Sequence, residues 1–205
     1  MISDNYKKTA ETYRNLGKKY IENAAAINLR ALPEFMKVLP RGGRVLDVGC
    51  FGGRDSKKFV DAGFAVTGID MVDVFIREAR IYEPRAEFLE MDLLEIDLPE
   101  NNFDGILAQA VLLHLEKKDI PKALANFYRI LKRGGKVYVG VKAGEGQGWE
   151  ADKLADNKER FFSYFSKTEI ESYMTAAGFK IIFSEMSPDY VGRDKEWIIV
   201  WGQKP

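Results

Sequence analysis

Short apolar runs alternate with longer stretches of helical periodicity from Arg44 onward. The runs are rich in Val, Ile and Leu, which is typical of strands that are buried on both faces. The longer stretches end at a glycine or just before a proline, and both residues stop helices. The pattern predicts strands over residues 45–49, 65–69, 86–90, 103–109 and 136–141, and helices over about 54–62, 72–82 and 119–134.

Strands that alternate with helices at this spacing imply right-handed crossovers and a parallel sheet covered by helices. The C-terminal part departs from the pattern, because a helix over about 167–177 precedes two consecutive strands, 179–186 and 196–202. Residues 187–195 between these strands are few enough to form a hairpin. We therefore expect an α/β three-layer sandwich with a seven-stranded, mostly parallel sheet, an antiparallel C-terminal strand and helices on both faces.

The segment before the first strand, from about residue 5 to 39, is predicted to be helical, and the sequence PRGG provides the turn into the sheet. A chain of 205 residues fits one domain with its own core. We expect residues 1–205 to form that domain, with residues 1–40 as a helical extension or lid.

The composition is that of a folded globular protein, with 46% hydrophobic and 30% charged residues. Basic and acidic residues balance at 31 each. A nucleic-acid binder usually has a basic excess, because phosphate contacts dominate its affinity. The balance therefore argues against a nucleic-acid partner without excluding a local basic patch.

Targeting and metal-binding signals are sparse. No apolar run approaches the ~20 residues that span a bilayer, and the first residues, MISDNYKKTAETYRNL, are too polar for a signal peptide. We expect a cytoplasmic protein without membrane partners. The single cysteine, Cys50, and the single histidine, His114, leave no internal disulfide and little for a metal centre, so no metal is predicted.

The first candidate for ligand chemistry is the sequence VLDVGCFGGRDS, which begins in the first strand. Glycines after a buried strand allow the backbone to turn sharply and approach a ligand, although a tight turn without a ligand fits as well. The dinucleotide fingerprint G-x-G-x-x-G is absent. Asp47 stands two residues before Gly49 and would repel a pyrophosphate, but it suits an ammonium group. The loop thus indicates a cofactor that carries an amino acid.

Two further acids follow the next strands. Asp70 ends the second predicted strand, where a carboxylate can accept both hydroxyls of a ribose. Asp92 follows the third strand, where it can accept the exocyclic amine of adenine. Each acid alone is equally compatible with a helix cap or turn. Acids at three consecutive strand ends, with a glycine loop at the first, favour a ligand site.

Four stretches together resemble the class I S-adenosylmethionine-dependent methyltransferases: VLDVGCFGGRDS, GID, FLEMDLLEIDLPENNFDGILAQAVLLHL and ILKRGGKVYVGV. They cover about half of the chain, and the C-terminal segments resemble a branch of small bacterial and archaeal members. The resemblance implies a Rossmann-like fold, S-adenosylmethionine as cofactor and S-adenosylhomocysteine as product. The cofactor-binding residues that it implies, with those argued above, are Tyr13, Asp47, Gly49, Cys50, Phe51, Gly52, Arg54, Asp70, Met71, Asp92, Leu93, Ala108 and Gln109.

Within this set the resemblance assigns separate parts of the cofactor. Gly49 and Gly52 would contact the methionine moiety, and Asp70 the ribose. The pair Asp92 and Leu93 would lie beside adenine. Residues 108 and 109 would lie near the sulfonium.

Phe51 departs from the Gly-x-Gly-x-Gly loop that is usual in the family. Either its ring points into the core or over the ligand, and Gly52 and Gly53 supply the flexibility, or the affinity for cofactor is weakened. Arg54 follows at the start of the helix and would pair with the cofactor carboxylate or with Asp47 or Asp55.

His114 follows the fourth strand, beside the expected position of the transferred methyl group. An imidazole with a pKa near 6.5 can take a proton from a hydroxyl, thiol or amine acceptor. Alternatively, the histidine only orients the loop, because methyl transfer needs positioning first and not always a base.

The acceptor is less constrained by sequence. Three segments are candidates for contact with the acceptor: the N-terminal helix with Tyr6 and Tyr13, the glycine-rich loop AGEGQGW, and RFFSYF. The glycine-rich loop contains Glu145 and Trp149 and would form a mobile cover over the site. Each aromatic residue is equally compatible with packing in the domain. No Asn- or Asp-Pro-Pro-aromatic motif of base-amine methyltransferases is present. We expect in-line methyl transfer to a small molecule by a monomer or homodimer. A tRNA or protein methyltransferase, or a non-catalytic cofactor-binding protein, stays open.

Overall fold

The computed structural model describes residues 3–25, 27, 29–188 and 196–205. Its strands are β1 (Arg44–Val48), β2 (Ala65–Asp70), β3 (Glu87–Glu90), β4 (Phe103–Gln109), β5 (Leu131–Lys142), β6 (Gln147–Asp152), β7 (Lys158–Ser163), β8 (Lys180–Ser187) and β9 (Trp197–Gln203). Its α-helices are α1 (Asp4–Leu16), α2 (Lys18–Asn23), α3 (Leu32–Lys37), α4 (Arg54–Asp61), α5 (Asp73–Tyr82), α6 (Ile120–Ile130) and α7 (Lys167–Ala176).

Seven strands form the central sheet in the order β3-β2-β1-β4-β5-β9-β8. The first five run parallel, whereas β9 is antiparallel to both of its neighbours. The predicted fold class is confirmed. After β1, strands β2 and β3 are added on one side of β1 in the sheet, and the chain then crosses to the other side of β1, where β4 pairs with it. The carboxyl ends of β1 and β4 therefore form the topological switch point, where α/β sheets of this kind bind ligands.

Both faces of the sheet are buried. Successive residues of a strand point to opposite faces, and Tyr138 and Val139 of β5 are both fully buried. Val139 belongs to a core that includes Phe127 of α6, while Tyr138 belongs to a second core with Phe35 of α3 and Trp201 of β9. Helices thus cover both faces, as the apolar runs predict.

Two predicted helices differ from the structure. The helix predicted to reach residue 134 ends at Ile130, because Leu131 already pairs with Phe103 and the Gly134 N–H donates to the Lys204 carbonyl at 2.8 Å. Before the sheet, the helical segment is divided into α1, α2 and α3, and α1 ends at Leu16, followed by Gly17 with a φ of 53°.

A second, two-stranded sheet was missed by the sequence interpretation. Strand β6 pairs antiparallel with β7, so most of the predicted mobile loop AGEGQGW lies at or within a hairpin. Asp156 and Asn157 precede β7 with φ angles of 51° and 59°. Asp and Asn tolerate this left-handed conformation better than other residues, so this pair was the available hairpin signal.

The connection predicted over 187–195 lies largely outside the described residues, which omit 189–195. The antiparallel pairing of β8 with β9 that it was expected to join is present. No helix in the described part of the chain is long and apolar enough to cross a bilayer.

Candidate functional site

A cavity of about 190 Å³ lies at the carboxyl ends of β1, β2 and β4. Its floor is the glycine loop after β1, and its cover comes from α1, α2 and the β6–β7 hairpin. The charged residues that line it fall into two groups. The first, which we call the acidic end, contains Asp47, Arg54, Asp55 and Asp70; the second, the basic end, contains Lys142, Asp152 and Arg160.

Asp47 is 3% exposed and is held by the Ser56 hydroxyl, which donates to its Oδ2 at 2.6 Å. Burial, reinforced by the nearby Asp55 charge, raises the pKa of Asp47 to about 7. A carboxyl with this pKa ionises readily when a cation binds beside it. Asp47 therefore suits a cationic ligand group, as its sequence position suggests.

Asp70 projects into the cavity from the end of β2. Its Oδ2 accepts the Phe51 N–H at 3.1 Å, and its Oδ1 accepts the Val72 N–H at 2.9 Å. Burial raises the pKa of Asp70 to about 6, although these backbone donors oppose the shift. The turn-forming and ligand-binding interpretations of Asp70 are thus compatible, because the backbone bonds fix a carboxylate that also lines the cavity.

The glycine loop brings its backbone close to the cavity. A Cβ at Gly49 would lie 2.9 Å from a methyl carbon of Val111, and the residue has a φ of 70°. Phe51 has a φ of 54°, which glycine would adopt without strain. Its ring makes edge contacts with Tyr20 and Phe75, with centroids 5.4 and 4.6 Å apart, while still lining the cavity. The ring thus packs against other aromatic residues and borders the ligand cavity, which is the arrangement of the first interpretation of Phe51; its effect on cofactor affinity stays a prediction.

Arg54 is engaged by the protein itself. Its guanidinium binds Asp55 at 2.5 Å and donates to the Ala24 carbonyl at 3.1 Å. Of the two acids predicted as partners of Arg54, Asp55 is the one that it pairs with, and pairing with the cofactor carboxylate stays a prediction. Cys50 also lines the cavity, and burial raises the pKa of its thiol, so it stays protonated.

Two buried side-chain oxygens near the cavity lack a hydrogen-bond partner among the described residues: Asp92 Oδ2 and Gln109 Oε1. The other oxygen of Asp92 accepts the Leu94 N–H at 2.8 Å. Burial raises the pKa of Tyr6, which lines the cavity, and the charges of Asp92 and Asp70 and a side-chain hydrogen bond with Asp92 add to the shift. Unsatisfied buried acceptors are costly, so both are candidate ligand contacts.

Most of the predicted cofactor residues line the cavity: Tyr13, Asp47, Gly49, Cys50, Phe51, Arg54, Asp70, Met71, Leu93 and Gln109. Gly52 does not, because a Cβ there would face Ile21 of α2 at 3.1 Å. Ala108 does not either, since it is fully buried in the core. The structure therefore does not support direct contact of Gly52 or Ala108 with a ligand in the cavity. Asp92 does not line the cavity, and only its unsatisfied Oδ2 makes it a candidate contact.

His114 and Tyr13 contact each other although 101 positions separate them. The Nδ1 of His114 lies 2.8 Å from the Phe161 carbonyl. A carbonyl only accepts, so Nδ1 carries the proton and Nε2 accepts the Tyr13 O–H at 2.8 Å. Burial, with the nearby charges of Arg160 and Lys142, lowers the pKa of His114 to about 3. The imidazole is therefore neutral at physiological pH.

The basic end was not identified from sequence beyond the segment RFFSYF. Arg160, 2% exposed, pairs with Asp152 at 2.6 Å and donates to the hydroxyls of Tyr13 and Tyr20. Lys142 lies 3.8 Å from the centre of the Phe162 ring and 3.9 Å from the same Asp152 oxygen. The Arg-Phe-Phe run entering a strand was the available signal for a buried cation.

The residues of the loop that was predicted to cover the site, Trp149 and Glu145, lie away from the cavity. Trp149 does not line the cavity, because in β6 its indole faces α1, where Nε1 donates to Asn5 Oδ1 at 3.2 Å. Glu145 is also outside the lining. Of the two interpretations of Trp149, cover of the site or packing, the structure shows packing against Asn5 and Phe161, while Tyr13 and Tyr20 line the cavity. In the part of the chain that the structure describes, no cluster of His, Cys, Asp or Glu is arranged to hold a metal.

Residues 46–139 match the family model described as a methyltransferase domain. A Diels-Alderase from Talaromyces variabilis, named as S-adenosyl-L-methionine-dependent, is 32% identical over 124 residues, which are 56% of this chain and 41% of that protein. Phosphoethanolamine N-methyltransferase 3 of Arabidopsis thaliana is 30% identical over 131 residues, 62% of this chain and 26% of that protein. The chain thus spans less than half the length of these curated relatives.

The fold is shared more widely than the sequence. The 1,6-didemethyltoxoflavin-N1-methyltransferase of Burkholderia thailandensis, solved with its substrate and S-adenosylhomocysteine, superposes with a TM-score of 0.75 at 21% identity. The superposition covers 100% of this chain and 92% of that protein. The resemblance drawn from the sequence motifs is thereby confirmed: residues 46–139 are a class I, S-adenosylmethionine-dependent methyltransferase domain.

Proposed function

We propose that this protein transfers a methyl group from S-adenosylmethionine to a small-molecule acceptor. The observation that carries the proposal is the cavity at the β1/β4 switch point, with Asp47 and Asp70 at one end and a cover of helices and hairpin at the other. A cavity closed in this way suits a small acceptor better than a folded macromolecule.

The residues of the acidic end fit the cofactor chemically. Asp47 would bind its ammonium group, and Asp70 would accept the ribose hydroxyls. Asp92 Oδ2, which lacks a partner in the described chain, would accept the adenine amine. Gln109 Oε1 would lie near the positive sulfonium. When bound, S-adenosylmethionine supplies an electrophilic methyl group to a lone pair of the acceptor. The remaining proposed contacts are Tyr13, Gly49, Cys50, Phe51, Arg54, Met71 and Leu93.

Tyr13 and His114 would orient the acceptor and hold its released proton. The Tyr13 hydroxyl is fixed from two sides, by Arg160 and by His114 Nε2. A proton that leaves the acceptor would pass to this hydroxyl as its own proton moves to Nε2. The low pKa of His114 makes it a weak base, so positioning contributes more than proton abstraction.

Helices α1 and α2 cover the cavity with Tyr6, Tyr13 and Tyr20. We propose that residues 1–40 act as the lid of a single-domain enzyme and move to admit cofactor and acceptor. Lid movements of this kind exclude water during the reaction.

Calorimetric titration with S-adenosylmethionine and S-adenosylhomocysteine tests the cofactor site, and transfer of a radiolabelled methyl group to an acceptor panel tests the reaction. We expect micromolar binding of both cofactor forms and label in a small molecule. Binding of neither form would contradict the proposal. Label found only in tRNA or protein would move the assignment to those acceptors.

A second function is favoured by the relative that is named a Diels-Alderase. In such a function the bound cofactor would serve without giving up its methyl group. The amount of S-adenosylhomocysteine formed per product distinguishes the two functions. Methyl transfer converts one S-adenosylmethionine to S-adenosylhomocysteine for each product, whereas the alternative function consumes no S-adenosylmethionine.

A further inference from the structure

We infer that Ser56 is a positioning residue for the cofactor: it holds one oxygen of the Asp47 carboxylate, so that the other oxygen meets the ammonium group. The inference rests on the proposed function, because that function assigns Asp47 to the cofactor. Ser56 itself is a buried residue of α4 that does not line the cavity. It would therefore act on the cofactor only through Asp47.

The first support is a short hydrogen bond between two buried groups on different elements. The Ser56 hydroxyl, in the first turn of α4, donates to Oδ2 of Asp47 in β1 at 2.6 Å. Ser56 is 0% exposed and Asp47 is 3% exposed. A serine inside a helix often donates to the carbonyl one turn before it, whereas here it crosses the glycine loop to a carboxylate. Such hydroxyl–carboxylate bonds are among the stronger ones in proteins.

The second support is that the two oxygens of Asp47 have different surroundings. Oδ2 is bound by Ser56, whereas Oδ1 has no hydrogen-bond partner among the residues that the structure describes. Oδ1 differs in this from Asp92 Oδ2, which is fully enclosed. Because Asp47 lines the cavity and Oδ1 stays accessible, Oδ1 is the oxygen that can accept an N–H from an ammonium group.

The third support comes from the other groups near Asp47. The charged and titratable groups that face it are Asp55 and Arg54 of α4, Asp70 of β2 and Cys50 of the glycine loop. Both acids repel an ionised Asp47, and Arg54 pairs with Asp55 at 2.5 Å. Burial raises the pKa of the Cys50 thiol, so it carries no charge. In the described part of the chain, Ser56 thus supplies the one side-chain hydrogen bond that favours the ionised form of Asp47.

Ser56→Ala removes this hydrogen bond and leaves the carboxyl buried beside two other acids. Burial raises the pKa of Asp47 to about 7 in the wild type, and the hydrogen bond opposes that shift. Without the bond, the pKa should rise by about one further unit. The affinity for S-adenosylhomocysteine should then fall about tenfold at pH 6, about fivefold at pH 7 and less than about twofold at pH 8.5. The loss fades with pH because Asp47 becomes ionised in both proteins.

Calorimetric titration with S-adenosylhomocysteine at these three pH values tests the inference. Ser163→Ala is the matched control, because the Ser163 hydroxyl is also 0% exposed and donates at 2.6 Å, but to the Leu115 carbonyl. Ser163 does not line the cavity, so this variant should retain the wild-type affinity at each pH. Ser56→Cys keeps a side chain of similar size with a weak donor, and it should change the pH profile in the same direction as Ser56→Ala.

The Asp47→Asn variant separates an effect through Asp47 from a general effect on the fold. When Ser56→Ala is added to Asp47→Asn, the affinity should change by less than about twofold at each pH, because the carboxyl on which the hydroxyl acts is gone. Denaturant unfolding of all variants shows that the titrated proteins are folded.

No loss of affinity in Ser56→Ala, or a loss that is the same at all three pH values, would overturn the inference. A loss of the same size in the Asp47→Asn background would also overturn it, because Ser56 would then act independently of Asp47. Failure of the wild-type protein to bind S-adenosylhomocysteine at any pH would instead contradict the proposed function. The wild-type titration therefore distinguishes the two failures.

Discussion

The acidic end of the cavity takes its side chains from strand ends and the turns that follow them, whereas the basic end takes them from β5 and the hairpin, which packs against α1. At the acidic end Asp70 binds the backbone of Phe51 and Val72, 19 and 2 positions away. At the basic end Arg160 binds the hydroxyl of Tyr13 across 147 positions. A ligand common to a whole family can be held by local motifs, while the pocket for an individual acceptor depends on distant segments meeting.

The ends also differ in how their charges are tuned. Burial raises the pKa of Asp47 and Asp70, so the acidic end sheds part of its charge when empty. Arg160 cannot do so, because arginine stays protonated in proteins. The basic end instead depends on a fixed ion pair. The predictions below test this difference, from the largest expected effect to the smallest.

Arg160→Met should lower the free energy of unfolding by about 3 kcal/mol, because it removes the cation that lies 2.6 Å from the buried Asp152 carboxylate. Denaturant unfolding measures this. The double variant Arg160→Met/Asp152→Asn should recover most of the loss. A loss below about 1 kcal/mol would show that the pair contributes no more than an exposed one.

His114→Gln should reduce the rate of methyl transfer about 100-fold if Tyr13 and His114 handle the acceptor proton. Its affinity for S-adenosylhomocysteine should not change, because the imidazole contacts Tyr13 and Phe161 and not the acidic end. Tyr13→Phe is the companion variant and should act in the same direction. Full turnover in both, with an identified acceptor, would eliminate the proton-handling role.

Asp70→Ala should weaken binding of S-adenosylmethionine by roughly 10- to 100-fold, since hydrogen bonds to a charged group contribute about 1.5–3 kcal/mol. Calorimetry measures the change. Asp104→Ala is a useful control, because Asp104 is an acid paired with Lys132 away from the cavity. Wild-type affinity in Asp70→Ala would refute the ribose assignment.

Affinity for S-adenosylmethionine should rise by more than about tenfold between pH 5.5 and 7.5, as Asp70 and Asp47 ionise near pH 6 and 7. For the empty protein the sign is opposite. Both pKa values exceed those of the unfolded chain, so the stability from the protonated carboxyls is complete below about pH 4 and is lost as the pH rises through 6 and 7.

Asp47→Asn should remove the rise in affinity for S-adenosylmethionine near pH 7 and leave the rise near pH 6 unchanged. Dissociation constants measured across this range by calorimetry check both expectations. A profile that is unchanged by Asp47→Asn would show that this carboxyl does not face the bound cation.

Phe51→Gly should change the cofactor affinity by no more than about threefold. Glycine relieves the left-handed φ of 54°, which costs a non-glycine residue about 1 kcal/mol, but the contacts with Tyr20 and Phe75 are lost. Phe51→Ala removes the ring without relieving the backbone and should be the less stable of the two. A collapse of stability in both would assign the ring to the core.

The sequence interpretation succeeded where neighbouring residues decide the structure. The strand over 103–109 was predicted with the observed bounds, because its apolar run is buried on both faces. It failed at residues 147–152, where glycines and polar residues resemble a loop and only pairing with β7 makes a strand. The choice between cover and packing stayed open for Trp149 for the same reason, since pairing with β7 fixes which way each side chain points.

By itself, the sequence determined the order of strands and helices, the glycine loop and the acids that follow β1, β2 and β3, because apolar periodicity and turn chemistry act over a few residues. The tertiary structure alone decided that Tyr13 contacts His114 and that Arg160 and Lys142 share Asp152. These contacts depend on α1 and the hairpin packing together over the sheet. Such packing depends on how much apolar surface all of these segments bury together. A local sequence pattern therefore does not predict which distant side chains the packing brings into contact.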